Sequence, residues 1–212
     1  MKKLMKFKDE KKENPLLQRI DLFEKSFDDF SVMSFNETSL SSILRDVDMN
    51  KGSFYFKFYD KRDLYLSMIE IIGIDKTKYL SNQIKVQVKS ENFFDQLRQI
   101  VVSTLEYSQK EPRYNSFWRI FQFENDDLKK IVKSAFPELN QDFLGNLVDK
   151  AILNGQLSKE YDRNFVYSIV NLYITNMDSF IDIDMSKKEI LEQVDKVIEI
   201  LKKSIGIKLI NQ

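Results

Sequence analysis

The chain has 212 residues, with 33 basic and 33 acidic side chains, five Gly, three Pro, and neither His nor Cys. So few turn-forming residues exclude a β-sandwich or β-barrel, which needs a turn every ~8–12 residues, and the sequence predicts an all-α fold. Without His and Cys there is no Cys/His zinc site, disulfide or Ser-His catalytic pair. We expect no metal or cofactor, although metal binding or acid–base chemistry by carboxylates alone stays open. No apolar stretch is long enough to span a membrane, and we expect a cytoplasmic protein.

The N-terminal region is basic, with six lysines in residues 1–12. We predict that residues 1–14 form a flexible arm, either a solubilising tail or an arm that reaches a DNA minor groove. Pro15 suits a first helical turn, and the apolar residues that follow recur every three or four positions, which predicts a helix ending near residue 30. Its apolar positions are Leu16, Ile20, Phe23, Phe27 and Phe30.

Three capping signals follow this first helix. Thr38 and Ser39 precede a short helix over 39–47, Asn50 precedes a segment over 51–59, and Asp60 precedes a helix that starts at residue 61. Side chains of these types accept hydrogen bonds from the first backbone N–H groups of a helix. With a tight turn at Asp48-Met49, the pattern is typical of a helix-turn-helix.

The segment after Asn50 suits a DNA groove. Gly52 allows close approach to a sugar-phosphate chain, the lysines neutralise phosphates, and Tyr55 offers a ring and a hydroxyl. Phe54 and Phe58, four residues apart, are expected in the core. An amphipathic hairpin without DNA binding remains the alternative.

Six further helices are predicted, over 91–110, 113–123, 126–135, 138–154, 162–182 and 187–205. The last two have broad apolar faces, which fit either a dimer interface or a core pair within one chain. Between residues 114 and 123 aromatic side chains cluster, which fits either plain core or the lining of a site for an apolar or aromatic ligand.

Residues 22–66 resemble the DNA-binding domain of the TetR family of bacterial transcriptional regulators. Phe30, Phe35, Thr38 and Ser39 match the end of the family's first helix and the cap that follows. The strongest similarity is the run from Asn50 to Leu64, which resembles the family's recognition helix and the start of its fourth helix. Residues 151–157, followed by Asp162 and Phe165, resemble the entry to its penultimate helix.

The resemblance implies a helix-turn-helix domain over 1–60 and a larger helical domain over 61–212 for effector binding and dimerisation. The residues expected at DNA are Thr38, Ser39, Asn50, Lys51, Gly52, Ser53, Tyr55, Phe56, Lys57 and Lys61. Those expected at an effector are Tyr114, Phe117, Trp118, Phe121 and Tyr173. Those expected at a homodimer interface are Ile169, Tyr173, Met177, Phe180, Ile190, Val194, Val197 and Leu201.

The chain departs from the family pattern at three positions. Ser34 and Asp48 stand where Gly is usual in the two turns, although Asp tolerates a left-handed conformation better than most residues. Phe56 stands where Tyr is frequent, which removes a hydroxyl contact.

Three functions remain open at this point. The first is a homodimeric repressor that binds a double-stranded DNA operator and is released by a small apolar or aromatic effector, with no membrane partner. The second is a co-regulator of the same fold that acts through protein contacts without specific DNA binding. An enzyme built on Glu124, Asp126 and Asp127 is the weakest, because these residues are explained more simply as a solvated helix boundary.

Overall fold

The computed structural model describes residues 4–87, 91–136, 143–181 and 185–207. This part of the chain contains eleven α-helices and no β-strand. Leu157 and Gly206, which are distant in sequence, pair in an isolated antiparallel β-bridge. The all-α prediction is confirmed. The helices are α1 Lys6–Asp9, α2 Ile20–Phe30, α3 Leu40–Asp46, α4 Lys51–Lys57, α5 Lys61–Gln87, α6 Phe93–Lys110, α7 Pro112–Gln122, α8 Asp126–Ala135, α9 Phe143–Leu153, α10 Arg163–Thr175 and α11 Lys187–Ile205.

The chain divides into two compact units. The first unit comprises Met1–Lys78 and Ser108–Asn140, and the second comprises Tyr79–Tyr107 and Gln141–Gln212. The long helices α5 and α6 therefore contribute residues to both units. The first unit holds the predicted helix-turn-helix together with α7 and α8.

The N-terminal segment is not a flexible arm over its described residues. It contains α1, and the side chains of Met5 and Phe7 are buried in the first unit. Asn14 is also buried, and its side chain accepts a hydrogen bond from Leu16 N–H. The prediction was wrong because a lysine-rich composition does not reveal two apolar residues that find a core.

The first predicted helix begins later than expected. Pro15–Leu17 is a short 3-10 turn, and α2 begins at Ile20. Leu16, Phe27 and Phe30 are buried as predicted, whereas Ile20 is exposed and Leu22 occupies the core position instead. Because the chain forms a 3-10 turn over Pro15–Leu17 and becomes α-helical only at Ile20, an α-helical period counted from Leu16 does not continue into α2.

The caps of the helix-turn-helix are confirmed. Ser39, Asn50 and Asp60 accept hydrogen bonds from the N–H groups of Ser42, Ser53 and Asp63 at 3.3, 2.8 and 2.9 Å. Asp48 has φ +46°, the left-handed conformation for which Gly is usual. Helix α4 ends two residues before the predicted limit because Phe58 is extended.

The second unit has its core between α6, α9, α10 and α11. Gly155, with φ +64°, follows the end of α9 as expected from the Asn154-Gly155 pair. The predicted helix over 162–182 is interrupted, because Asn176 ends α10 and donates its side-chain N–H to the carbonyl of Leu172 at 2.8 Å. A short 3-10 helix, Met177–Phe180, follows.

Most residues predicted at the dimer interface are buried within the chain. Their side chains leave little surface for a second copy, which fits the alternative of a core pair within one chain. Met177, Val194, Val197 and Leu201 lie in this core, and Ile190 is buried as well. Ile169 and Tyr173 are half-buried against the same core, and Phe180 is exposed.

Candidate nucleic-acid interface

Helix α4 has one buried side and one exposed side. Phe54 and Phe58 are fully buried and stack with ring centroids 5.1 Å apart, which fixes the rotation of the helix. At about 100° per residue, the opposite side is centred on Gly52 and Phe56. Phe56 is 74% exposed, and Gly52 lies one turn earlier. The outward face therefore has no side chain at Gly52 and a projecting phenyl ring at Phe56.

Polar side chains flank this outward face. Lys51 and Tyr55 lie along one edge and Ser53 and Lys57 along the other, from the same helical rotation. Lys51, Ser53 and Tyr55 are exposed. Two cations, a hydroxyl and a phenol around an apolar centre form the arrangement that phosphate and base contacts need.

Gly52 also has a local role at the start of α4. A Cβ built on Gly52 would lie 3.3 Å from the Asn50 side-chain oxygen, which caps the helix. That distance is tight, so a larger residue would push against the cap. The glycine therefore serves the cap and leaves the outward face open.

Two residues predicted at DNA are already engaged within the first unit. Thr38 is buried, and its hydroxyl donates to the carbonyl of Ser34 at 2.9 Å. The Lys61 ammonium donates to the carbonyls of Phe35 and Thr38 at 2.6 and 2.8 Å and lies 4.5 Å from the centre of the Phe35 ring. Burial lowers the pKa of Lys61. Both residues order the turn between α2 and α3.

Glu124, which follows the end of α7, supports the same turn. Its side chain is buried and accepts a hydrogen bond from Phe35 N–H at 2.5 Å. Asp126 and Asp127 are exposed in the first turn of α8. The three acids considered as an enzymatic cluster are thus divided between a buried backbone contact and a solvated helix start.

Arg113 joins the other end of α7 to α2. Its guanidinium pairs with Glu111, Glu24 and Asp28 at 2.8, 2.6 and 2.9 Å. It also lies 4.6 Å from the centre of the Phe27 ring. The hydrogen bond to Glu111 and the neighbouring carboxylates raise the pKa of Arg113. Helix α7 is therefore attached at its start to α2 and, through Glu124 just after its end, to the turn that leads from α2 into α3.

Comparison with known proteins gives a consistent picture of the fold. No family model and no curated protein matches the sequence. A TetR-family transcriptional regulator from Chloroflexus aurantiacus superposes with a TM-score of 0.73 at 20% identity, over 92% of this chain and 95% of that one. The chain has the TetR-family fold. The resemblance noted in residues 22–66 is confirmed at the level of fold.

Two other structures of this fold are a regulator in complex with stearoyl-CoA and a ketosteroid transcriptional regulator. The TetR-fold chain matches FadR from Bacillus subtilis in complex with stearoyl-CoA at a TM-score of 0.65 and 12% identity, over 86% of this chain and 97% of that one. It matches the ketosteroid regulator KstR2 of Mycobacterium tuberculosis at 0.63 and 11%, over 90% and 96%.

In this TetR-fold chain the aromatic cluster on α7 belongs mainly to the core of the first unit. Phe117 is buried between Phe27 and Tyr65, with ring centroids 6.2 and 5.6 Å away. Trp118 contacts Phe117 and Phe121, each at 5.2 Å. Phe117 is therefore committed to packing.

Tyr114 and Tyr173, the other two residues predicted at an effector, belong to different units of the chain. Tyr114, on α7, is buried, and its hydroxyl is hydrogen-bonded to the Lys76 ammonium. Burial lowers the pKa of Lys76 to about 8. The Trp118 indole N–H is buried with no acceptor within hydrogen-bond distance among the described residues. Tyr173 lies in the second unit and stacks on Phe180 at 6.4 Å.

Metal-ligand groups and membrane-spanning helices were sought in the described residues. Across 4–87, 91–136, 143–181 and 185–207, no group of three acidic side chains is placed to hold a metal ion. Within the same ranges, no helix combines the length and apolar character needed to cross a bilayer.

The amino-acid sequence does not indicate several of the residues that position the candidate site. Lys6, Asp63 and Arg113 make contacts to residues that are 57 to 89 positions away in the chain. Their residue types and local spacing carry no signal for such partners. The side chains of α4 itself were found because the helix cap and the Phe54–Phe58 pair are local.

Proposed function

We propose that this protein is a DNA-binding transcriptional regulator of the TetR type, most simply a repressor whose operator binding is relaxed by a small molecule. The observation that carries the proposal is the outward face of α4, which is exposed around Phe56 and fixed in rotation by the buried Phe54–Phe58 pair. Such a face enters a major groove when its N-terminal end approaches the bases.

Phosphate contacts come from the flanks of that face. Lys51 and Lys57 neutralise phosphates on either side of the groove, and Ser53 and Tyr55 donate hydroxyl hydrogen bonds. Ser39 and the first N–H groups of α3 approach the adjacent strand. Thr38 and Lys61 act by ordering the turn between α2 and α3, to which their polar groups are bonded.

A homodimer brings two such faces to neighbouring turns of DNA. On α10, Phe165 and Leu172 are 46% and 56% exposed, and they lie seven residues apart on one helical stripe with the half-buried Ile169. Ile200 on α11 is also exposed. We propose that these residues, with Tyr173 and Phe180, contact the second copy, while the buried set supports them from within.

The effector is proposed to be an apolar or aromatic small molecule. One protein of the same fold is a regulator in complex with stearoyl-CoA, whose acyl chain is apolar although its CoA group is charged, and another is a ketosteroid transcriptional regulator, named for an apolar ring system. Tyr114 and Trp118 are the residues proposed to contact it. Release from DNA follows if the effector binds one conformation of the dimer more tightly than the DNA-bound one.

Fluorescence anisotropy with duplex DNA tests the proposal. The probes are duplexes from the upstream region of the gene and a scrambled duplex of the same composition, across a salt series. We expect tight, sequence-dependent binding that falls steeply with salt and is lost in the Lys51→Ala/Tyr55→Ala double variant. Lys188→Ala removes a strongly exposed lysine from α11 and serves as the control.

The co-regulator is retained as a second candidate because of one observation. The centre of the outward face is the apolar ring of Phe56, and a protein partner can also bury such a ring. Weak DNA binding that is indifferent to sequence, to salt and to the double variant would favour this candidate.

A further inference from the structure

The N-terminal segment packs against the end of helix α4. We call residues 5–14 the N-terminal clasp. Helix α1 is a single turn, and the side chains of Met5, just before it, and of Phe7, within it, are buried in the first unit. The clasp, together with Phe56 and Lys57, lines a groove of about 280 Å³. It therefore lies beside the proposed DNA-binding face without covering it.

Lys6 contacts the C-terminal end of α4 directly. Its ammonium donates a hydrogen bond to the carbonyl of Tyr55 at 2.8 Å and lies 5.8 Å from the centre of the Tyr59 ring. The last carbonyls of a helix have no intrahelical donor and carry the negative end of the helix dipole. A cation at this position stabilises the last turn of α4.

Asp63 joins the clasp to the residue that follows α4. Its side chain is buried, and a single oxygen, Oδ2, accepts hydrogen bonds from Lys6 N–H at 3.0 Å and from Tyr59 N–H at 2.8 Å. The Tyr59 hydroxyl donates to Asp9 at 3.1 Å. The backbone of the clasp and the chain leaving α4 are thus held at one point on α5.

The far end of the clasp is attached further along α5. The side-chain N–H of Asn14 donates to the carbonyl of Ser67 at 2.8 Å and to the Glu70 carboxylate at 3.0 Å. Lys8 forms an ion pair with the same carboxylate at 2.8 Å. The clasp is therefore fixed at both ends to the helix that follows α4.

We propose that the N-terminal clasp sets the position of α4, with Lys6 as a positioning residue that acts through the Tyr55 carbonyl and not through DNA. The expected effect of Lys6 on DNA affinity rests on the proposed function. Its expected effect on the order of α4 does not, because that effect is measured in the free protein without DNA.

The experiment compares the full-length wild type with Lys6→Gln, Lys6→Arg and Lys11→Gln. Lys6→Arg keeps a charged donor, and Lys11 is an exposed lysine of the same clasp, so Lys11→Gln controls for the loss of one charge. Hydrogen exchange of the Phe58 and Tyr59 amides reports on the end of α4. Anisotropy across a salt series uses a duplex that the wild type selects from a random-sequence pool.

If the clasp positions α4, we expect the Phe58 and Tyr59 amides of Lys6→Gln to exchange hydrogen faster than in the wild type. We also expect its affinity for the selected duplex to be about tenfold lower. The salt slope stays at the wild-type value, because no phosphate contact is lost. Lys6→Arg restores both measurements, and Lys11→Gln matches the wild type.

Other outcomes overturn the proposal. A salt slope smaller by about one in Lys6→Gln would make Lys6 a phosphate contact. Unchanged exchange at Phe58 and Tyr59 would show that the clasp does not order α4. If the wild type selects no duplex, the proposed function fails, and the exchange measurement alone decides whether the clasp orders α4.

Discussion

At the centre of the outward face of α4 is a phenyl ring, Phe56, which makes no hydrogen bonds. The apolar group that a base pair presents in the major groove is the thymine methyl. We expect one operator position where replacing thymidine by deoxyuridine weakens wild-type binding by about 1 kcal/mol. Phe56→Ala should bind the two duplexes equally. Wild-type binding that is insensitive to deoxyuridine at every operator thymidine would contradict this assignment.

Lys76 carries a partly buried ammonium next to Tyr114. Burial lowers its pKa from 10.5 to about 8, so below pH 8 both the folded and unfolded states are protonated and the folded state bears the full cost of the buried ammonium. Between about pH 8 and 10.5 only the unfolded state keeps the proton, and wild-type stability rises with pH.

Lys76→Met should therefore increase the free energy of unfolding at neutral pH by about 2 kcal/mol, and this advantage should shrink at alkaline pH. Urea denaturation across pH measures it. Lys78→Met, on the exposed side of α5, is the matched control and should follow the wild type. Parallel stability profiles for the wild type and Lys76→Met would refute the assignment.

Individual residues were predictable where their partners are close in sequence. Asn50, Ser39 and Asp60 were identified as caps because each bonds to a residue three positions ahead. The Lys61 ammonium was assigned to a phosphate, yet it binds carbonyls 23 and 26 residues away. A side chain with several donors gives no indication in the sequence of which distant acceptor it meets.

Among the elements, α7 holds the turn between α2 and α3 through Glu124. Glu124→Ala leaves the partly buried N–H of Phe35 without its acceptor, and we expect a loss of about 1–3 kcal/mol in the free energy of unfolding. Glu124→Gln keeps an acceptor and should lose less. Chemical denaturation provides the measurement, with Asp127→Ala on the exposed start of α8 as the control. Equal stability of the alanine and glutamine variants would argue against the contact.

Helices were predictable as elements more reliably than their limits. Apolar periodicity and Pro112 placed α7 and α8 within one or two residues. The apolar pattern over 162–182 continues on both sides of Asn176 and so predicts one uninterrupted helix, whereas α10 ends at Thr175. An asparagine that bonds back to the preceding turn ends the helix, and periodicity does not register such a competing hydrogen bond.

On the scale of the whole molecule, association of two copies is proposed through the exposed stripe of α10. Leu172→Arg places a charge on this stripe, and we expect monomers in sedimentation velocity together with loss of operator binding. Val32→Arg, an equally radical change at a 72% exposed residue of the first unit, should leave the dimer intact. Dimers that persist in Leu172→Arg would exclude this face.

The amphipathic pattern of α10 and α11 did not distinguish a core face from a face for a second copy, since both are apolar at helical spacing. The pattern places Val194 and Leu201 at a dimer interface, but their side chains lie in the core. It gives no such indication for Leu172, whose side chain is exposed. Which apolar stripe stays exposed depends on how many neighbours surround each helix, and that is a property of the assembled fold.

The chain has a single tryptophan, Trp118, and its indole N–H is enclosed among the aromatic rings of α7. The molecule therefore contains one indole, which can be excited apart from the tyrosines, at the element that Arg113 and Glu124 attach to α2 and to the turn between α2 and α3. Emission excited in this indole should move to longer wavelength when water reaches the ring. A change in the packing of α7 can thus be followed in the unlabelled protein, in real time, as a spectral shift.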